Sequence, residues 1–190
     1  MAVNLNENWI GDKSRGIGMS IRDDRMKNDY RALQKLCVFY EPEKIKILEK
    51  QGEPPNFYRL LISDCKGIEA VVDGLVQYRT EHILIIRNFP VDYPDSGSLP
   101  TFQMETPIFH PNVYDNGLID LGSNFSEWKN ISLPLDALVQ KVISMIEYEN
   151  LRFGCPANIN TRDWANRNKH LFPLSNGLDG GQTKPKLNWK

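Results

Sequence analysis

The chain of 190 residues reads as an α+β protein in which helices flank a run of short antiparallel strands. Three observations lead there. Apolar residues recur at helical spacing near residue 30 and again near residue 140. Between them, residues 57–104 break into short segments rich in Val, Ile, Leu and Tyr. Gly, Pro and Asn gather at the joints. At this length one domain is expected to bury its own core without disulfide or metal staples.

Residues 1–20 are polar, with Trp9, Ile10, Ile17 and Met19 in no clear period, and are expected to form a flexible arm. The domain proper then spans 21–174, and the Gly- and Lys-containing stretch 175–190 is expected to be a flexible tail. Met26, Tyr30, Leu33 and Cys37, widened by Leu36 and Val38, predict an amphipathic first helix that ends before Pro42, with Arg31, Gln34 and Lys35 outside. After the turn-rich residues 51–56, segments 57–62, 67–77 and 81–87 predict consecutive antiparallel strands. A fourth strand, 101–104, follows a proline-rich connection too long for a tight hairpin. Ser132 is the expected cap of a long helix whose first turn tolerates Pro134 and whose stripe is Leu135, Leu138, Val139, Val142, Ile143 and Ile146. Gly154 and Pro156 interrupt it, and a shorter helix over 160–170 carries Trp164 toward the core.

Lys and Arg total 23 against 24 Asp and Glu, so no global basic field recruits nucleic acid or an anionic membrane. A protein partner or a small substrate is the expectation. The three cysteines, Cys37, Cys65 and Cys155, are widely spaced and odd in number, which suits neither a disulfide framework nor a zinc site. With no metal cluster and no Gly-rich phosphate loop, no cofactor is implied. The first residues lack the basic end and apolar run of a signal peptide, and no stretch is apolar enough to span a bilayer, so a soluble cytoplasmic protein is expected.

The most specific stretch is 89–128. It holds Phe89-Pro90, Tyr93-Pro94, Pro100, His110-Pro111-Asn112, Gly117-Leu118-Ile119-Asp120 and Trp128 in that order. This series resembles the active-site region of the ubiquitin-conjugating enzymes, and the wider resemblance spans residues 26–171. It implies that family's fold: an N-terminal helix, a four-stranded antiparallel meander sheet, a long central helix and a short C-terminal helix. It also implies three protein partners: a ubiquitin-like modifier, an activating enzyme and a target protein.

By the same resemblance, the Asn112 amide is a candidate donor to the oxyanion formed when an amine attacks a thioester, an effect worth roughly 10² to 10³ in rate. The alternative is that His110, Pro111 and Asn112 only build a turn. Asp120 stands where the family has its catalytic cysteine. A carboxylate cannot take over that task, because the mixed anhydride it would form does not survive water as a thioester does. Asp120 therefore reads as a loop-bonding residue or as a base, not as the nucleophile.

Cys155, in Phe153-Gly154-Cys155-Pro156, falls where the family has a loop that closes over the active site and often carries an acidic residue. A thiol there is a candidate relocated nucleophile, with Asp120 orienting or deprotonating the incoming amine; the competing reading is a small hydrophobe beneath a loop. Cys37 is expected in the core, and Cys65 in a hairpin turn away from the pocket. His82 and His170 have no acid or thiol in a recognisable pattern and are expected at the surface or as satisfied core groups. Trp128 and Trp164 read as packed anchors. Two functions stay open: a transferase working through a thioester on Cys155, and a catalytically inactive variant that binds a modifier or an active conjugating partner. A purely regulatory relative of the fold has no use for His110-Pro111-Asn112 and Gly117. The departures from the eukaryotic pattern are similar to stand-alone bacterial members that serve antiphage defence.

Overall fold

The computed structural model describes residues 20–39, 44–95, 99–121, 133–149 and 156–173. Along the chain these form α1 (Ile21–Phe39), β1 (Ile45–Gln51), β2 (Phe57–Ile62), β3 (Gly67–Val72), β4 (Leu75–Arg79), β5 (His82–Arg87), β6 (Thr101–Met104), α2 (Leu135–Ile146), α3 (Ile159–Arg167) and a closing 3-10 turn, Lys169–Leu171. The α+β expectation holds. The main sheet has the order β1-β2-β5-β6, antiparallel throughout. It is a meander interrupted by a β3–β4 hairpin that forms a small sheet of its own.

The four sheet strands are therefore not the four anticipated segments. Strand β1 escaped the sequence reading because a bulge between Ile47 and Glu49 breaks its alternation, leaving one fully buried apolar residue, Ile45. The segment 67–77 is in fact a hairpin. Asp73 (φ 52°) and Gly74 (φ 78°) both adopt left-handed backbone, the requirement of a type I′ turn, and an Asp-Gly pair meets it.

The core lies on one face of the sheet. Leu60 and Ile62 of β2 alternate inward beside Leu84 and Ile86 of β5, in register as Leu60↔Leu84 and Tyr58↔Ile86. Every anticipated residue of the α2 stripe is buried in the same cluster. Helix α1 adds Met26, Leu33 and Leu36. Val38 does not join them and is 72% exposed, because at about 100° per residue it falls on the opposite side of the helix. Cys37 lies at the margin, half-buried against the core rather than within it. A second, smaller core unites Ile68, Tyr148 and Ala165 with Phe109, Trp164 and Phe172. Trp164 packs there, edge-on to Phe109 at 5.3 Å. Trp128 and Ser132 lie outside the described residues.

The centre of the buried stripe of α1 is occupied by a carboxylate. Asp29 is 1% exposed. Arg25, one turn earlier, donates to both its oxygens at 2.9 and 3.0 Å. The Tyr93 hydroxyl donates to Asp29 at 2.5 Å, and the Leu135 backbone N–H donates at 3.0 Å. Arg25 also donates to the Leu133 carbonyl. The N-cap of α2 is thus Pro134, not a residue within its first turn, and Pro134 has no side chain able to cap. A distant carboxylate accepts the orphan N–H instead. Arg22 secures the neighbouring loop by donating to the Pro90 and Phe89 carbonyls at 3.0 and 3.2 Å. The Phe89 ring meets Tyr93 edge-on at 5.2 Å.

Asp29→Ala leaves the part-buried Arg25 guanidinium without its carboxylate, and the buried Tyr93 hydroxyl and Leu135 amide without their acceptor. It is expected to lower stability by about 3–5 kcal/mol in urea unfolding, while Glu81→Ala at an exposed position stays within about 0.5 kcal/mol.

Candidate active site

Beyond β6 the chain turns back along that strand's outer edge. Met104 N–H donates to the Gly117 carbonyl at 2.8 Å, and Ile119 N–H to the Phe102 carbonyl at 3.0 Å. The returning segment also closes on itself through Gly117 N–H to Tyr114 O at 2.8 Å and Tyr114 N–H to Leu118 O at 2.9 Å. The Asn116 side chain accepts the Leu118 N–H at 3.1 Å. Gly117 is required twice over. Its φ of +81° is left-handed, and a Cβ would overlap the Met104 carbonyl oxygen.

This turn brings Asn112 and Asp120 together. Asp120 N–H donates to the Asn112 carbonyl at 2.8 Å, and Val113 bridges Ile119 beside them. Both residues are half-buried. The Asn112 N–H is taken by His110 Nδ1 at 3.0 Å, so both backbone groups of Asn112 are engaged. Its side-chain amide makes no hydrogen bond among the described residues.

His110 serves the turn. It is 1% exposed, and burial pushes its pKa down to about 3, against a smaller opposing pull from the Met145 backbone. Nε2 faces that backbone without completing a hydrogen bond of ordinary geometry. With Nδ1 accepting from Asn112, the neutral ring carries its proton on Nε2. A ring that stays neutral through the physiological range is a fixed acceptor, not a proton carrier.

Cys155 lies outside the described residues. Three residues later, Asn158 makes three contacts that sequence reasoning missed. Its N–H donates to the Pro111 carbonyl at 3.0 Å, and its Nδ2 to Asp115 Oδ1 at 3.0 Å. Its Oδ1 accepts the Thr161 N–H at 3.0 Å and so caps α3. An Asn just ahead of a helical stretch is the available sequence signal for the cap, but not for the contacts with Pro111 and Asp115.

The remaining candidates separate cleanly. Cys65 lies in the connection between β2 and β3, which do not pair, so it is not in the expected hairpin turn. Its side chain is fully buried in the main core, with Sγ 3.9 Å from the Ile143 carbonyl. His82 is also fully buried, hydrogen-bonded through Nε2 to the Cys65 carbonyl at 3.0 Å, and burial lowers its pKa. His170 is exposed on the 3-10 turn. Among the described residues no group of His, Cys, Asp and Glu is arranged to hold a metal, and no helix is long and apolar enough to cross a membrane.

A family model described as ubiquitin-conjugating enzyme matches residues 44–173, which covers every described element from β1 to the 3-10 turn. The chain belongs to the ubiquitin-conjugating enzyme family. No curated protein matches it. Membership carries a role in ubiquitin-like conjugation and, with it, partners drawn from modifiers and the proteins that load or receive them.

Gly117→Ala is expected to lower the melting temperature more than Gly74→Ala. Both force a left-handed alanine, at about 1–2 kcal/mol, but only at Gly117 does the new methyl meet backbone. Acid also weakens the fold through its buried histidines. His110 and His82 are held below the ordinary value while the unfolded chain takes up protons near pH 6.5, so the unfolded state binds more protons as pH falls. Stability should therefore decline from pH 6.5 toward 4, by at most about 1.4 kcal/mol per pH unit for each histidine; a flat urea midpoint over that range would contradict the assignment.

Proposed function

We propose that this protein accepts a ubiquitin-like modifier from an activating enzyme as a thioester on Cys155 and transfers it to a target amine. In loading, the Cys155 thiolate attacks the thioester carbonyl on the activating enzyme, a C–S bond forms and that enzyme's thiolate leaves. In transfer, the amine nitrogen attacks the carbonyl, a C–N bond forms, the C–S bond breaks, and the amine loses a proton. Asn112 donates to the oxyanion in between, and Asp120 orients the amine or takes its proton.

The observation that carries this reading is the attachment of Asn158 to Pro111 and Asp115. Cys155 is three residues from that anchor, a chain reach of roughly 10 Å, which suits a thiol that works beside Asn112 and Asp120. The other cysteines suit it poorly. Cys65 has no exposed surface, and Cys37 sits on α1 with its thiol pushed up by burial, away from the reactive thiolate.

A second reading rests on Asp120 standing at the family's cysteine position. It makes the protein a catalytically inactive variant that holds a modifier or an active conjugating partner, and it predicts binding without a covalent adduct. The two readings separate on a nonreducing gel after incubation with activating enzyme, modifier and ATP. A reducible adduct is expected with the unaltered protein, Cys37→Ala and Cys65→Ala, and is expected to vanish with Cys155→Ala; an undiminished adduct on Cys155→Ala would sink the assignment. Asn112→Ala should still load while its discharge to free lysine slows by about 10² to 10³.

A further inference from the structure

Tyr148 follows the C-terminal end of α2 and is the one bulky aromatic among the described residues held with left-handed backbone, at φ 60°. A large side chain avoids that conformation, so surrounding contacts must hold it there. Those contacts converge on the turn that carries Asn112. The Tyr148 hydroxyl donates to the carbonyl of Phe109, the residue directly before His110. Its ring stands edge-on to the His110 imidazole, with centroids 4.6 Å apart and planes at 69°. Phe172 backs the ring at 4.7 Å, and only 2% of Tyr148 is exposed.

The far side of the turn is held just as firmly. Phe109 N–H donates to the Ile68 carbonyl at 2.8 Å. The imidazole that Tyr148 packs against accepts the Asn112 N–H, and the Asn112 carbonyl accepts the Asp120 N–H. A continuous series of contacts therefore runs from the end of α2 through Tyr148 and His110 to Asn112. We infer that Tyr148 is a positioning residue for Asn112, fixing through the Phe109 carbonyl and the His110 ring where the Asn112 amide points during amine transfer. Tyr148 touches no reacting atom in this role. It acts by holding the imidazole and the preceding peptide, whose placement sets the Asn112 backbone. A misplacement of about 1 Å in a catalytic group can cost on the order of 10² in rate, so a residue that holds His110 and the Phe109 peptide can govern the rate through Asn112.

The inference rests on the assignment of Asn112 to the transfer step, and the test keeps the two apart. Tyr148→Phe retains the ring and removes the hydroxyl. Loading on a nonreducing gel is expected to proceed at the unaltered rate, while single-turnover discharge to free lysine slows about tenfold. In an Asn112→Ala background the same change should have no further effect, since Tyr148 acts through Asn112. Ile62→Val, a packing loss in the main core, should leave discharge unchanged. Equal losses in both backgrounds, or an equal loss with Ile62→Val, would overturn the inference in favour of general destabilisation. If the unaltered protein forms no adduct, the transfer reading falls on its own, and NMR order parameters of the Asn112 side-chain amide still decide the matter. They should fall in Tyr148→Phe, and unchanged values would overturn the positioning role.

Discussion

A carboxylate at the centre of a helix's apolar stripe is unfavourable unless its charge and its lone pairs are all met. Asp29 meets that condition through three separate parts of the chain: Arg25 on α1, Tyr93 in the loop after β5, and the first amide of α2. Each partner needs the others in place. A slide of α1 along the sheet would strand the α2 amide, and a shift of the loop would strand the Tyr93 hydroxyl. Hydrophobic burial of Met26, Leu33 and Leu36 brings α1 to the core, but burial has no direction and permits neighbouring registers. The Asp29 contacts have direction. Burial and the nearby negative charge together push the Tyr93 hydroxyl well above its ordinary range, so it remains a donor.

The same logic of placement governs the site. The sheet edge at β6 provides free backbone groups, and the segment 113–120 takes them up, so the turn carrying Asn112 and Asp120 is an extension of the sheet rather than a loose loop. Gly117 permits the close approach to Met104. Opposite it, Asn158 joins the start of α3 to Pro111 and Asp115. The two halves of the site thus come from segments more than 40 residues apart, joined by one backbone and one side-chain hydrogen bond.

Local rules made much of this legible. The α2 stripe, both flanking helices and the proline-rich connection follow from periodicity and from residue geometry, as does the proximity of Asn112 and Asp120 from their shared turn. Three features did not follow, each for a physical reason. The bulge in β1 erased its alternation. Asp29 gives no sequence signal, because nothing local to it reveals that Tyr93 and Leu135, 64 and 106 positions away, will satisfy it. Tyr148 is silent in sequence because its left-handed backbone depends on Phe109, His110 and Phe172, which only the folded chain brings to it. Long-range satisfaction of polar groups and strain held by tertiary contacts leave no period to read.

The division of labour within Asn112 bears on what the site is for. Its N–H and its carbonyl both hold the turn together, one to His110 and one to Asp120. Those are backbone functions that any residue other than proline can perform. A requirement for the turn alone therefore gives no reason for an asparagine side chain at this position. The carboxamide becomes useful when an oxyanion needs a neutral donor, since a cation there would also depress the pKa of a nearby acid and a hydroxyl would reach less far. The neutral imidazole of His110 fits the same requirement, because it steadies the backbone without adding charge beside Asp120. Under the proposed transfer role, these surroundings suit a neutral donor held still beside Asp120.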